Sequence, residues 1–149
     1  MNEPYLIIAT DSASSGDAAI VRQGLGRYNR EIGGMGNFRE LALFLKDAAG
    51  HTLGGLLGYS LGTWLHIETL WLTEAVRGGG NGTALLQAAE DEGRKRGCRV
   101  VDLATFDYQA PGFYLKKGYE ELGRLTGVGA DHSVHYLAKR LSQPEGSAA

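Results

Sequence analysis

Cysteine is nearly missing from this chain. It has one, Cys98, in 149 residues, so no internal disulfide can form, and no CxxC or Cys/His spacing signals zinc. A surplus of basic charge is also lacking. The net charge is −2, whereas a nucleic-acid-binding domain carries a basic patch or stripe, so no nucleic-acid partner is expected. The N-terminus has no basic region followed by a long apolar run, and no stretch approaches the ~20 apolar residues that a membrane helix needs. Neither secretion nor a membrane span is expected, and the cytoplasm is the default location. No internal repeat is visible.

What remains is the profile of a soluble globular protein, 43% hydrophobic and 21% charged. Its length favours one compact domain, taken as residues 1–142, with a flexible tail at 143–149 built of small and polar residues. Glycine is abundant at 23, about twice the ~7% average. It follows no period.

The chain reads as alternating elements. Tyr5 to Ala9 is a short apolar run read as a first strand. Asp11 to Ser15 offers N-cap side chains, and Ala18, Val21, Leu25, Tyr28 and Ile32 fall at helical spacing, so Gly16 to Ile32 is read as a helix. Leucines alternate in Phe38 to Lys46, which with Thr52 to Ser60 makes a hairpin. Leu65 to Thr73 is the next strand; simple alternation puts Leu65, Ile67, Thr69 and Trp71 on one face and His66, Glu68, Leu70 and Leu72 on the other. A helix follows over Thr83 to Arg96, with Leu85, Leu86 and Ala89 inward. Its Glu90, Asp91 and Glu92 stand four residues before Arg94, Lys95 and Arg96 on a face read as solvated. Then come a strand (Arg99 to Phe106), a short helix (Gln109 to Lys117) and two closing strands (Tyr119 to Leu125, Ser133 to Lys139). Cys98 follows the helix stop at Gly97 and is read as a small buried residue, not an acyl-carrying nucleophile.

The organising stretch is the turn Arg77-Gly78-Gly79-Gly80-Asn81-Gly82, set between strand and helix. Glycines let backbone approach a ligand closely, and a helix N-terminus offers unpaired N–H donors and partial positive charge, a setting for phosphate. No Gly-Lys-Ser/Thr follows, which excludes the NTPase phosphate loop. Thr83 stands where a dinucleotide fingerprint needs glycine or alanine.

With the strand Ile67-Glu68-Thr69-Leu70-Trp71-Leu72, this R-x-x-G-x-G turn and its helix resemble the GNAT superfamily of acyl-CoA-dependent N-acyltransferases. About thirty residues on, Ala110-Pro111-Gly112-Phe113-Tyr114-Leu115-Lys116-Lys117-Gly118-Tyr119 is similar to that family's A-x-x-x-Y-x-K-x-G segment. The resemblance implies a mixed α/β fold: a central, largely antiparallel sheet of six to seven strands flanked by about four helices. It implies acetyl-CoA as co-substrate, no metal, and an acetyl group moved to a primary amine of a small molecule by direct attack in a ternary complex. Dimers are common in the family, so a homodimer is expected. A non-catalytic acyl-CoA-binding sensor or interaction module is the alternative.

The resemblance also assigns residues. The backbone of Leu70, Trp71 and Leu72 would pair with the pantetheine arm, and Arg77, Gly78, Gly79, Gly80, Asn81, Gly82 and Thr83 would hold the pyrophosphate, with Lys116 near the phosphates. Tyr114 would protonate the leaving thiolate. Glu68, a carboxylate in an apolar strand, would take the amine's proton, since burying an unpaired charge demands a reason. On the acceptor side stand Tyr28 and Asn29 at the end of the first helix, His66 beside Glu68, Asp107 where the family often has Asn, and His132. Each histidine also has a plain reading as a hydrogen-bonded surface residue.

Overall fold

The first helix is capped as its sequence demands. In the computed structural model, which describes residues 4–142, α1 spans Gly16–Gly33. Ser15 at the N-cap accepts the Ala18 N–H at 3.4 Å, and Gly34, at φ 64°, ends the helix in the left-handed conformation that glycine adopts without strain. Contacts divide the chain into two units, Met1–Gly36 and Asn37–Ala149. In the first unit α1 is the one regular element among the described residues. The strand expected over Tyr5 to Ala9 does not form. A strand needs a neighbour to complete its hydrogen bonds, and this unit offers only a helix. The tail expected at 143–149 lies outside the described residues.

The second unit is a sheet with helices. Its elements are β1 (Arg39–Lys46), β2 (Thr52–Leu61), β3 (Trp64–Leu72), a 3-10 turn (Glu74–Val76), α2 (Asn81–Lys95), β4 (Val100–Phe106), α3 (Pro111–Lys116), β5 (Glu120–Val128) and β6 (His132–Arg140). The sheet has six strands in the order β1-β2-β3-β4-β6-β5. All its pairs are antiparallel except β3 with β4. This is the expected mixed, largely antiparallel sheet. Three α-helices are described, against about four expected: after Gly34, Asn37 at φ 61° turns the chain into β1 with no further helix.

One face of the sheet carries the core. Leu41, Leu56, Leu65, Ile67, Val101 and Leu103 are buried there, with Leu86 and Ala89 of α2 in the same cluster. The charged side of α2 is less solvated than its sequence implied. Glu90 is 2% exposed. It accepts the Lys139 Nζ at 2.7 Å and the Tyr119 hydroxyl at 3.1 Å, partners from later in the chain that make its burial tolerable. Glu90–Arg94 at 3.8 Å and Glu92–Arg96 at 3.0 Å form as expected, while Asp91 pairs with Arg94 at 3.1 Å instead of Lys95.

β3 departs from simple alternation. Leu57 stands opposite Thr69 and Gly58 opposite Ile67, which leaves Glu68 without a partner on β2. This β-bulge shifts the pleat by one residue. Leu65 and Ile67 therefore share their face with Leu70 and Leu72, and His66 shares the other with Thr69 and Trp71. The expected grouping of His66, Glu68, Leu70 and Leu72 is corrected accordingly. Gly58 permits the bulge, because a Cβ there would collide with the His66 carbonyl.

Candidate active site

β3 and β4 pair for four rungs only, from Trp64–Val100 to Ile67–Leu103. Beyond the bulge they separate, and the edge of β3 from Glu68 to Leu72 faces β4 without a strand partner. A cavity of about 1030 Å³ occupies the opening. Its walls include Glu68, Leu70, Trp71 and Leu72 from β3, Ala104 and Thr105 from β4, and Tyr108 and Tyr114.

The glycine turn closes one end of this cavity. Gly78 and Gly80 adopt φ 77° and 89°, left-handed values that other residues reach only with strain. A Cβ at Gly78, Gly79 or Gly80 would meet nothing within 4 Å, so the turn presents bare backbone to open space. The first bond of α2 runs from the Ala84 N–H to the Gly80 carbonyl at 3.0 Å. The N–H groups of Asn81, Gly82 and Thr83 are thereby left pointing off the helix end. Two side chains brace the turn: Asn81 Nδ2 donates to the Val76 carbonyl at 3.0 Å and Arg77 Nε to the Leu72 carbonyl at 2.9 Å. Arg77, Gly78, Gly80, Gly82 and Thr83 line the cavity. Gly79, Asn81 and Lys116 stand outside its wall.

Tyr114, on α3, projects into the wall and is 8% exposed. It meets Phe113 and Tyr119 edge-on at 5.1 and 5.7 Å. Burial pushes its phenol above the ordinary tyrosine range, so it stays protonated and able to donate. Glu68 lines this cavity and also a smaller one of about 210 Å³ walled by Phe38, Glu40 and Tyr59. Its carboxylate makes no hydrogen bond or ion pair among the described residues, a state suited to a ligand.

The family is settled by sequence over these same elements. The profile of the acetyltransferase (GNAT) family matches residues 21–119. The chain belongs to the GNAT acetyltransferase family. An acetyltransferase of Agrobacterium fabrum is 31% identical over 134 residues, covering 90% of this chain and 98% of that one. The blasticidin-S acetyltransferase of Streptomyces morookaense is 37% identical over 93 residues, 62% of this chain and 68% of that one. A crystal structure of an acetyltransferase from Bacillus cereus superposes with a TM-score of 0.81 at 32% identity, covering 93% and 98% of the two chains. The GNAT match begins inside α1 and so spans both units.

The remaining GNAT-based assignments fall in three places. His66 sits one rung before the opening, its Nδ1 2.8 Å from Asp102 Oδ1, which also accepts Trp64 Nε1 at 2.6 Å. Asp107 and His132 pair at 3.1 Å behind Tyr108, whose ring stacks on Phe106 at 5.3 Å and meets His132 edge-on at 4.7 Å. Burial works against the Asp107 charge, but hydrogen bonding with the Ser133 backbone and the His132 charge hold its carboxyl below the usual range. Tyr28 and Asn29 lie on α1 in the first unit. Among the described residues no group of three His, Cys, Asp or Glu is placed to hold a metal, and no helix is long and apolar enough to cross a membrane.

Sequence reasoning passed over Asp102, Thr105 and Gln109. Gln109 Oε1 caps β4, accepting the Phe106 N–H at 2.7 Å and the Thr105 hydroxyl at 3.1 Å. Asp102 carried the same signal as Glu68, a carboxylate between apolar neighbours in a strand.

Proposed function

We propose that this acetyltransferase is a cytoplasmic, acetyl-CoA-dependent N-acetyltransferase that acetylates the primary amine of a small molecule by direct attack in a ternary complex. Residues 1–142 serve as its acetyltransferase domain, and two copies associate. The observation that carries the reading is one continuous cavity: it runs from bare N–H groups at the start of α2, along the unpartnered edge of β3, to a carboxylate and a buried phenol. These residues fit the co-substrate. The turn offers donors for a pyrophosphate, and the β3 edge offers backbone groups to an extended amide-bearing arm.

Acetyl-CoA, when bound, supplies an acetyl group activated as a thioester. Leu70, Trp71 and Leu72 hold the arm through backbone. Arg77, Gly78, Gly79, Gly80, Asn81, Gly82 and Thr83 hold the pyrophosphate, and Lys116 adds charge nearby. Backbone N–H near Leu70 polarises the carbonyl. Glu68 draws the substrate ammonium and takes its proton, because only the free amine has a lone pair for attack. Tyr114 gives its proton to the departing sulfur. His66, Asp107 and His132 contribute to the acceptor side. The blasticidin-S acetyltransferase relative supports an amino-bearing antibiotic or a similar small amine as acceptor.

Thiol release from acetyl-CoA across a panel of amines, with acetyl-CoA binding measured in parallel, tests this. Binding plus amine-dependent thiol release is expected. Binding without release for any amine would favour the sensor reading, and no binding would refute both.

A further inference from the structure

Asp102 has no role in the assignments above, yet it holds His66 in a defined way. It lies on β4, directly across from His66 on the third rung of the β3–β4 pair. Its Oδ1 lies 2.8 Å from His66 Nδ1 and accepts Trp64 Nε1–H at 2.6 Å. An ionised carboxylate has only acceptor sites. A hydrogen bond between it and Nδ1 therefore requires a proton on Nδ1, and in the neutral ring Nε2 then keeps its lone pair. The rings of Tyr59 and Trp64 flank the imidazole at 5.2 and 5.5 Å and restrict its rotation. The imidazole is 26% exposed, enough to exchange protons with water.

The dyad is two residues from Glu68 and one rung from the point where the cavity opens. Burial, followed by the charges of Asp102 and Glu68, pushes the Tyr59 phenol up, so both carboxylates act on one locality. The titratable and charged groups on this face are Glu40 and Lys46 of β1, Tyr59 of β2, Glu68 of β3, Asp102 of β4, Glu120 of β5, and Tyr136 and Arg140 of β6 by register.

We infer that His66 is the proton sink of the acetyl transfer and that Asp102 positions it. This rests on the acetyltransfer reading above. The substrate ammonium gives one proton to the Glu68 carboxylate. Glu68 passes it, through water, to Nε2 of His66, which releases it to solvent. The amine nitrogen then forms the new C–N bond as the C–S bond breaks. Its second proton leaves to solvent while the sulfur takes one from Tyr114, and the Tyr114 phenolate is reprotonated from solvent. The net reaction releases one proton. Release to solvent from the part-exposed imidazole frees Glu68 for the next ammonium.

The test uses full-length protein, acetyl-CoA and the best amine from the panel. His66→Gln should lower kcat/KM by about 10²-fold and remove the acidic limb of the pH–rate profile. Glu68→Gln should lower the rate and leave that limb in place. Asp102→Leu removes the single oxygen that faces both Trp64 Nε1–H and His66 Nδ1, so nothing then holds the proton on Nδ1. It should lower kcat with little change in acetyl-CoA affinity, and ¹⁵N NMR should show the imidazole switching from the Nδ1–H to the Nε2–H tautomer. An acidic limb that survives in His66→Gln and vanishes in Glu68→Gln overturns the proposal, as does a wild-type imidazole already in the Nε2–H form. Retained acetyl-CoA binding in these variants confines such a failure to the relay. Loss of binding in the wild type overturns the acetyltransfer reading, and the relay with it.

Discussion

Tyr114 shows how much a single residue's surroundings decide. A phenol in water is an indifferent acid at neutral pH. Buried against Phe113 and Tyr119, its pKa is raised, so it remains a proton donor throughout the working range. Tyr114→Phe keeps the ring and its edge-on contacts and removes only the hydroxyl. We expect kcat to fall by about 10²-fold with acetyl-CoA affinity unchanged; an unaltered kcat would take Tyr114 out of the chemistry. Tyr114 and Glu68 stood out as candidates because each sits in a motif or in a setting unusual for its type. Asp102 sat in a comparable setting, but its contacts depend on His66 and Trp64 arriving across a strand pair, which one strand's sequence does not reveal. Glu90 misled for the same reason: beyond the expected Arg94 at 3.8 Å, its closer partners, the Lys139 ammonium and the Tyr119 hydroxyl, come from segments remote in the chain.

At the scale of the element, β3 and the turn after it behaved differently under sequence reasoning. The glycine turn and the start of α2 were readable because glycine spacing and helix-end chemistry are local. The bulge at Glu68 was not, since it arises from pairing with β2 and from the missing side chain at Gly58. The bulge lies where β3 leaves β4 and the cavity begins. Gly58→Ala would drive a Cβ into the His66 carbonyl. The variant should lose about 1–3 kcal/mol of stability, the usual cost of overpacking, read as a lower urea midpoint at constant slope. An unchanged midpoint would show that the bulge does not depend on glycine. The expected strand at Tyr5 to Ala9 fails on the same principle, because an apolar run becomes a strand only where a partner completes its ladder.

For the whole molecule, the buried tyrosines make stability depend on alkaline pH. Tyr119 is 3% exposed. Burial foremost, then the Glu90 charge and the hydrogen bond to it, push its phenol far above the ordinary value. Its folded pKa exceeds its unfolded one, so the contribution is complete below about pH 10, the unfolded value, and is lost as pH rises through the folded value. Above pH ~10 the unfolding free energy should fall by about 1.4 kcal/mol per pH unit for each such phenol. Tyr119→Phe should flatten that slope. A wild-type slope no steeper than the variant's would contradict the assignment. The GNAT architecture was legible at this scale from two motifs in register with a strand between them, because that spacing puts strand, turn, helix and strand in the family's order along the chain; the order of strands within the sheet was not.

The central claim is that the opening between β3 and β4 takes acetyl-CoA. Thermal unfolding with and without excess acetyl-CoA tests it most directly. At about 100 times its dissociation constant the ligand should stabilise the fold by roughly 2.7 kcal/mol, which raises the midpoint by several degrees in a domain of this size. The rise should shrink in Gly80→Glu, which places a side chain and a negative charge in the pyrophosphate cradle. A midpoint unmoved at saturating acetyl-CoA would contradict the account and return the glycine turn to an ordinary strand-to-helix connection.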